Sequence, residues 1–122
     1  MRMDEYLVIS TNNDLLRIAS GNIMYITADG NYSSIMQSNG EGKYVVQQLG
    51  SIERMIGHQL RETGENFIRI GKSLIINKQY IYYINISKQQ LVLSNGHSNQ
   101  NQLSASKEAL HQLKEIIDKS IV

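Results

Sequence analysis

Three residues between two apolar runs, Gly71-Lys72-Ser73, bring a positive charge and a hydroxyl into one short turn. Lysine offers a point charge with three donors, serine both donates and accepts, and glycine permits backbone conformations and close approaches that other residues resist. Such a turn suits contact with an anion or a polar edge. The residues that could make or break bonds are poorly placed for it. His58, His97 and His111 fall on a helix, a turn and a second helix, with no two at metal-ligand spacing. No G-x-S-x-G, phosphate-binding loop or dinucleotide fingerprint occurs. The acidic residues lie mainly in polar connections or at helix surface positions, where solvation explains them. The expectation is a binding protein without catalytic residues, cofactor or metal.

The charge distribution narrows what is bound. The net charge is only +1, yet residues 1–65 carry five Lys/Arg against eight Asp/Glu. Residues 66–107 carry five basic residues, Arg69, Lys72, Lys78, Lys88 and Lys107, and no acidic one. The same block holds eleven Asn or Gln, whose amides can bond phosphates or base edges without repelling a polyanion. A neutral, amide-rich surface with scattered cations is the competing reading, and composition alone leaves both open.

These residues must be positioned by the elements around them. A chain of 122 residues is the size of one domain and buries roughly two-thirds of its unfolded surface. It has no cysteine, so disulfides and thiolate metal sites are excluded. No apolar run approaches the ~20 residues of a membrane span, and the N-terminus lacks a signal-peptide core. The expectation is a cytoplasmic protein with no membrane partner.

Short apolar runs at residues 6–9 and 15–19, split by Ser10-Thr11-Asn12-Asn13-Asp14, predict a hairpin. Residues 22–27 continue as a strand that Ala28-Asp29-Gly30-Asn31 breaks, and residues 32–37 and 43–47 flank an Asn39-Gly40 turn. Leu49, Ile52, Ile56 and Leu60 then recur at helical spacing, predicting one short helix begun near Gly50 or Ser51. Further strands follow at 67–70, 74–76, 80–86, 89–93 and 98–103, the last polar and on an edge. Leu110, Leu113 and Ile117 give a C-terminal helix that Ser104 or Ser106 can cap. The sum is a mainly-β single domain, residues 1–122, of about eight to ten short strands with one internal and one C-terminal helix. In the strand at 80–86, alternation sends Tyr80 and Tyr82 to one face and Tyr83 to the other, with at least one face in the core. Tyr32, at the mouth of a turn, can pack or project.

Three segments together resemble one family. Residues 23–33, IMYITADGNYS, resemble the I-x-Y-I-E-A-x-G-N-Y-S segment of LytTR-type DNA-binding domains. Residues 67–77, FIRIGKSLIIN, resemble their F-x-R-x-H-R-S-x-x-x-N, and Leu103-Ser104-Ala105-Ser106-Lys107 resembles their [IL]-P-V-S-R. The helix from Leu49 falls where the family has L-x-x-[IL]-E, and the resemblance spans about residues 15–118. It implies an elongated all-β core whose loops enter successive major grooves of double-stranded DNA, usually at promoters with paired direct repeats.

Carried over position by position, the resemblance makes DNA-contacting candidates of Asn31, Tyr32, Ser33 and Ser34, of Lys72 and Ser73 with Arg69 and Asn77 as supports, and of Ser106 and Lys107. Gly71 stands for the usual His, Lys72 and Lys107 for Arg, Thr27 for a common Glu, and no proline precedes Ala105. Lysine lacks the planar fork of arginine, so phosphate contact gains weight over guanine readout. Family members usually follow a receiver domain, for which 122 residues leave no room; the chain reads as a free-standing regulator or as one domain of a longer protein. The implied function is a sequence-specific transcriptional regulator without catalytic activity, with homodimers on DNA and an upstream sensor as further partners. The alternative is a module of the same fold that pairs with a full-length regulator and binds DNA weakly or not at all.

Overall fold

Asp-Gly and Asn-Gly pairs fold the chain back on itself repeatedly, and a mainly-β architecture follows, with ten strands and two α-helices among the described residues. The computed structural model describes residues 5–121. Packing divides them into two compact units, one ending at Gln79 and the other beginning at Tyr80.

The first unit opens with the expected hairpin, β1 (Tyr6–Ser10) and β2 (Leu15–Ala19), paired antiparallel from Tyr6 opposite Ala19 to Ser10 opposite Leu15. Thr11 closes its turn: its Oγ1 donates to Asp14 Oδ1 at 2.6 Å and accepts from the Asn13 and Asp14 amides. Then come β3 (Ile23–Asp29), β4 (Tyr32–Gln37), β5 (Gly42–Val45), helix α1 (Leu49–Gln59), β6 (Phe67–Ile70) and β7 (Leu74–Asn77). They build an antiparallel sheet in the order β5-β4-β3-β7-β6. Its middle strand, β3, is buried from Ile23 to Ile26, as its nearly continuous apolar run requires. β3 runs through to Asp29, two residues beyond the expected strand end at residue 27, because Asp29 still pairs with Tyr32 across a two-residue Gly30-Asn31 loop.

Leu49, Ile52 and Ile56 of α1, with Leu60 after it, join Leu7, Ile9, Ile18, Ile26, Ile35 and Ile75 in one apolar core. The helix begins at Leu49, a residue or two before the expected start, with Gln48 as an N-cap that makes no side-chain bond. Burial of Leu49 draws the first turn onto the core, which outweighs the better capping residue at Ser51. At the other end Gln59 acts like a strand residue. Its Oε1 accepts from the Val8 amide at 2.7 Å and its Nε2 donates to the Val8 carbonyl at 3.0 Å, closing part of the open edge of β1. The Glu5 carboxylate accepts from the amides of Glu62 and Thr63 and from Thr63 Oγ1. These bonds, that to the Thr63 hydroxyl first, hold its pKa below the usual carboxylate value.

The second unit is a three-stranded antiparallel sheet, β8 (Ile81–Asn85), β9 (Gln90–Ser94) and β10 (Gln100–Ser104) in the order β10-β9-β8, followed by α2 (Lys107–Ser120). Leu91, Val92 and Leu93 are buried, as are Leu110 and Leu113 of α2. The polar strand β10 is an edge, as expected, though it starts at Gln100 because Asn95 ties the preceding loop: its Oδ1 accepts from the His97 and Asn99 amides. The tyrosines depart from simple alternation. The register slips between Ile81 and Tyr83, so Tyr82 and Tyr83 are both exposed, at 71% and 46%, and Tyr80 lies in a short helical turn ahead of the strand.

Candidate nucleic-acid interface

Strand direction decides which loops meet. β3 and β7 are antiparallel with Thr27 opposite Leu74, and beyond that pair the Ala28 amide donates to the Ser73 carbonyl at 2.9 Å. The Gly30-Asn31 loop that leaves β3 and the Gly71-Lys72-Ser73 loop that enters β7 therefore sit side by side at one end of the sheet. β5 leaves at the same end, since Val45 lies opposite Ser33. Its continuation toward α1 is tied in twice: Ser33 Oγ donates to the Gln47 carbonyl at 2.7 Å, and Gln48 Nε2 donates to Asn31 Oδ1 at 3.3 Å. Both hairpin loops turn on glycine at positive φ, +62° at Gly30 and +61° at Gly71.

The side chains at this end differ in what they offer. Asn31, Tyr32, Lys72 and Ser73 are exposed, Tyr32 at 49%, and the Lys72 ammonium has no ion-pair partner among the described residues. Ser34 lies one step behind the loop, half-buried, opposite Thr27 and Tyr44. Ser33 and Asn77 face inward instead. Ser33 is fully buried with its hydroxyl given to Gln47. Asn77, 1% exposed, donates to the Ile23 carbonyl at 2.9 Å and accepts from the Gln79 amide at 3.0 Å. The strand pleat explains Ser33: Tyr32 and Ser34 share one face of β4, and Ser33 takes the other. Arg69 is also occupied, pairing with Glu53 at 2.8 Å and donating to the Gly71 and Lys72 carbonyls at 3.0 Å each.

The second unit gathers its own polar end. β10 returns beside β9 so that Ser104 lies opposite Gln90, which brings the start of α2 to the β8–β9 turn. Gln89, at φ +52°, takes the Ala105 amide on its carbonyl at 3.4 Å and donates Nε2 to the Ala105 carbonyl at 3.3 Å. Lys88 and Lys107 are exposed on these two linked segments, and neither forms an ion pair among the described residues. Of the two capping serines it is Ser106 that caps α2, its Oγ accepting from the Ala109 amide at 3.1 Å. Ser106 thus serves the helix while Lys107 projects.

Gln48, Lys88 and Gln89 join these ends without having been marked as contact residues in the sequence. Lys88 belongs to the acid-free basic block, which was the available signal; its neighbour Gln89 meets Ala105 through a strand returning from sixteen residues away, which leaves no local trace. Among the described residues no three His, Cys, Asp or Glu side chains cluster in a way that could hold a metal, and no helix is long and apolar enough to cross a membrane.

A mainly-β domain with exposed cationic and amide-bearing loops is the class that fold and surface define. The model of the LytTR family, described as the LytTr DNA-binding domain, matches residues 13–118. The chain belongs to this family, whose members are DNA-binding regulatory modules. Among solved structures, the chain is similar to a LytTr DNA-binding domain of Bacillus cereus described as that of a methyl-accepting/DNA response regulator. The match has a TM-score of 0.62 at 15% identity, covering 93% of this chain and 96% of the other, which establishes the shared fold. No curated protein matches the sequence.

Proposed function

We propose that this domain binds double-stranded DNA sequence-specifically as a transcriptional regulator, presenting its loops to successive major grooves. The observation that carries the reading is the Ala28–Ser73 bond, which sets the Asn31-Tyr32 and Lys72-Ser73 turns together as one exposed polar end. Lys72, Lys88 and Lys107 supply phosphate contacts, while Asn31, Tyr32, Ser34 and Ser73, joined by Gln48 and Gln89, supply groups that can read base edges or fix register. Ser33, Arg69, Asn77 and Ser106 hold these groups in place. With Lys72 in the first set and Lys88 and Lys107 in the second as the lysines without an ion pair among the described residues, electrostatic affinity is modest. Two domains on adjacent direct repeats would gain from effective concentration.

The test is titration into a promoter duplex with paired repeats, and into a scrambled duplex, at several salt concentrations. Three phosphate contacts give a slope of log affinity against log salt of about −2.7 per domain, with tighter binding to the promoter. Negligible binding to both duplexes at low salt would sink the reading in favour of a protein-interaction module that pairs with a full-length regulator, a role to which the neutralised Arg69 and the exposed Tyr82 and Tyr83 are suited.

A further inference from the structure

Glu53 does not reach the exposed loops, yet it touches the residue that shapes one of them. We propose that Glu53, on α1, sets the conformation of the Gly71-Lys72-Ser73 turn through Arg69 and thereby acts as a positioning residue for base discrimination, an inference that rests on the DNA-binding reading above.

A guanidinium carries five N–H groups in one rigid plane. Here each of its three nitrogens has a different acceptor: Nε bonds the Gly71 carbonyl at 3.0 Å, Nη2 the Lys72 carbonyl at 3.0 Å, and Nη1 the Glu53 carboxylate at 2.8 Å. The two carbonyls belong to consecutive residues of a three-residue loop closed by Ile70 opposite Leu74, with Gly71 in the left-handed region at φ +61°. Two such carbonyls bonded to one cation hold the peptide planes on either side of Lys72, and so the directions in which the side chains of Lys72 and the adjoining Ser73 leave the backbone; Ser73 is the group of this turn that can read a base edge, while Lys72 meets phosphate. With both carbonyls bonded, the third nitrogen, Nη1, is held by the Glu53 carboxylate, which ties the guanidinium to α1.

The exposure of the pair separates orientation from stability. The side chains of Arg69 and Glu53 are 28% and 52% exposed, and ion pairs so open to water contribute little to folding. The pair therefore acts chiefly by orienting the turn. It has a second effect on a polyanion: Arg69 pairs with the Glu53 carboxylate, which reduces the repulsion that this carboxylate would exert on a partner's phosphates.

Glu53→Gln and Arg69→Lys test this, the first removing the carboxylate charge and the second keeping the cation while losing the fork. Each is expected to leave the thermal midpoint near that of the parent, to shift the Lys72 and Ser73 amide resonances of the free protein, and to lower the ratio of promoter to scrambled affinity about tenfold. Lys72→Ala differs, weakening both duplexes alike. Unshifted turn amides, or an unchanged affinity ratio in a parent that does discriminate, would overturn the proposal. If the parent binds neither duplex, the DNA reading fails and the role in discrimination with it, while the amide shifts still show whether Glu53 holds the turn.

Discussion

The Ala28 amide donates to the Ser73 carbonyl at 2.9 Å, one step past the last regular pair of β3 and β7. Two loops that lie some forty residues apart in the chain are thereby fixed side by side. Each also turns on a glycine at positive φ, a conformation that other residues rarely adopt. Side chains carried on strand ends that are tied together need less ordering when a ligand binds.

Lys72→Ala should weaken binding to promoter and scrambled duplexes by similar factors and make the salt slope shallower by about 1. Lys72 is exposed and has no ion-pair partner among the described residues, so its removal costs the fold little. Parallel titrations at three or more salt concentrations check it; a slope equal to the parent's would remove Lys72 from the contact set.

Much of this was legible in the sequence. Turn pairs and apolar periodicity locate nearly every strand and both helices, and the three family-like segments mark both polar ends. What the sequence hides is which way a polar residue faces. Tyr32 and Ser33 are neighbours at the mouth of a polar turn, and the pleat of β4 against its partners sends one outward and the other in. Asn77 reads as a polar residue closing a strand, but the Ile23 carbonyl it satisfies is fifty-four positions away. Lys88 reads as an ordinary turn until β10 brings Ala105 beside Gln89. The slip at Tyr82 and Tyr83 likewise depends on how β8 registers on β9, which local alternation does not encode.

Asn77→Ala should lower stability by about 1–3 kcal/mol, because it leaves the buried Ile23 carbonyl without this donor. DNA affinity of the folded fraction should change much less than stability does. Urea unfolding of parent and variant measures the first effect and titration at low temperature the second. An unchanged urea midpoint with lost DNA affinity would move Asn77 from brace to contact.

Substitutions at Ser106 should separate folding from binding. Ser106→Ala loses the cap to the Ala109 amide and should cost about 1 kcal/mol. Ser106→Asp keeps a capping oxygen and should fold as well as the parent, but it sets a negative charge next to Lys107 and should weaken DNA binding severalfold, most strongly at low salt. Thermal melts and titrations of the two variants check this. Equal DNA binding by Ser106→Asp and parent would show that the start of α2 does not face phosphate.

Acid should act partly through Glu5. Its carboxyl pKa is lowered in the folded protein by the bonds from Thr63 and Glu62, so the unfolded chain binds a proton at higher pH than the folded one. The stabilisation is fully present above the ordinary glutamate value of the unfolded chain and is lost as pH falls through the lower folded value. Melting temperatures measured from neutral pH downward should therefore fall in that acid window. Glu5→Gln should flatten this part of the profile and lower stability at neutral pH, where the charged acceptor of the Thr63 hydroxyl and amide is replaced by a neutral one. A variant profile parallel to the parent's across the window would show that another carboxylate controls the acid limb.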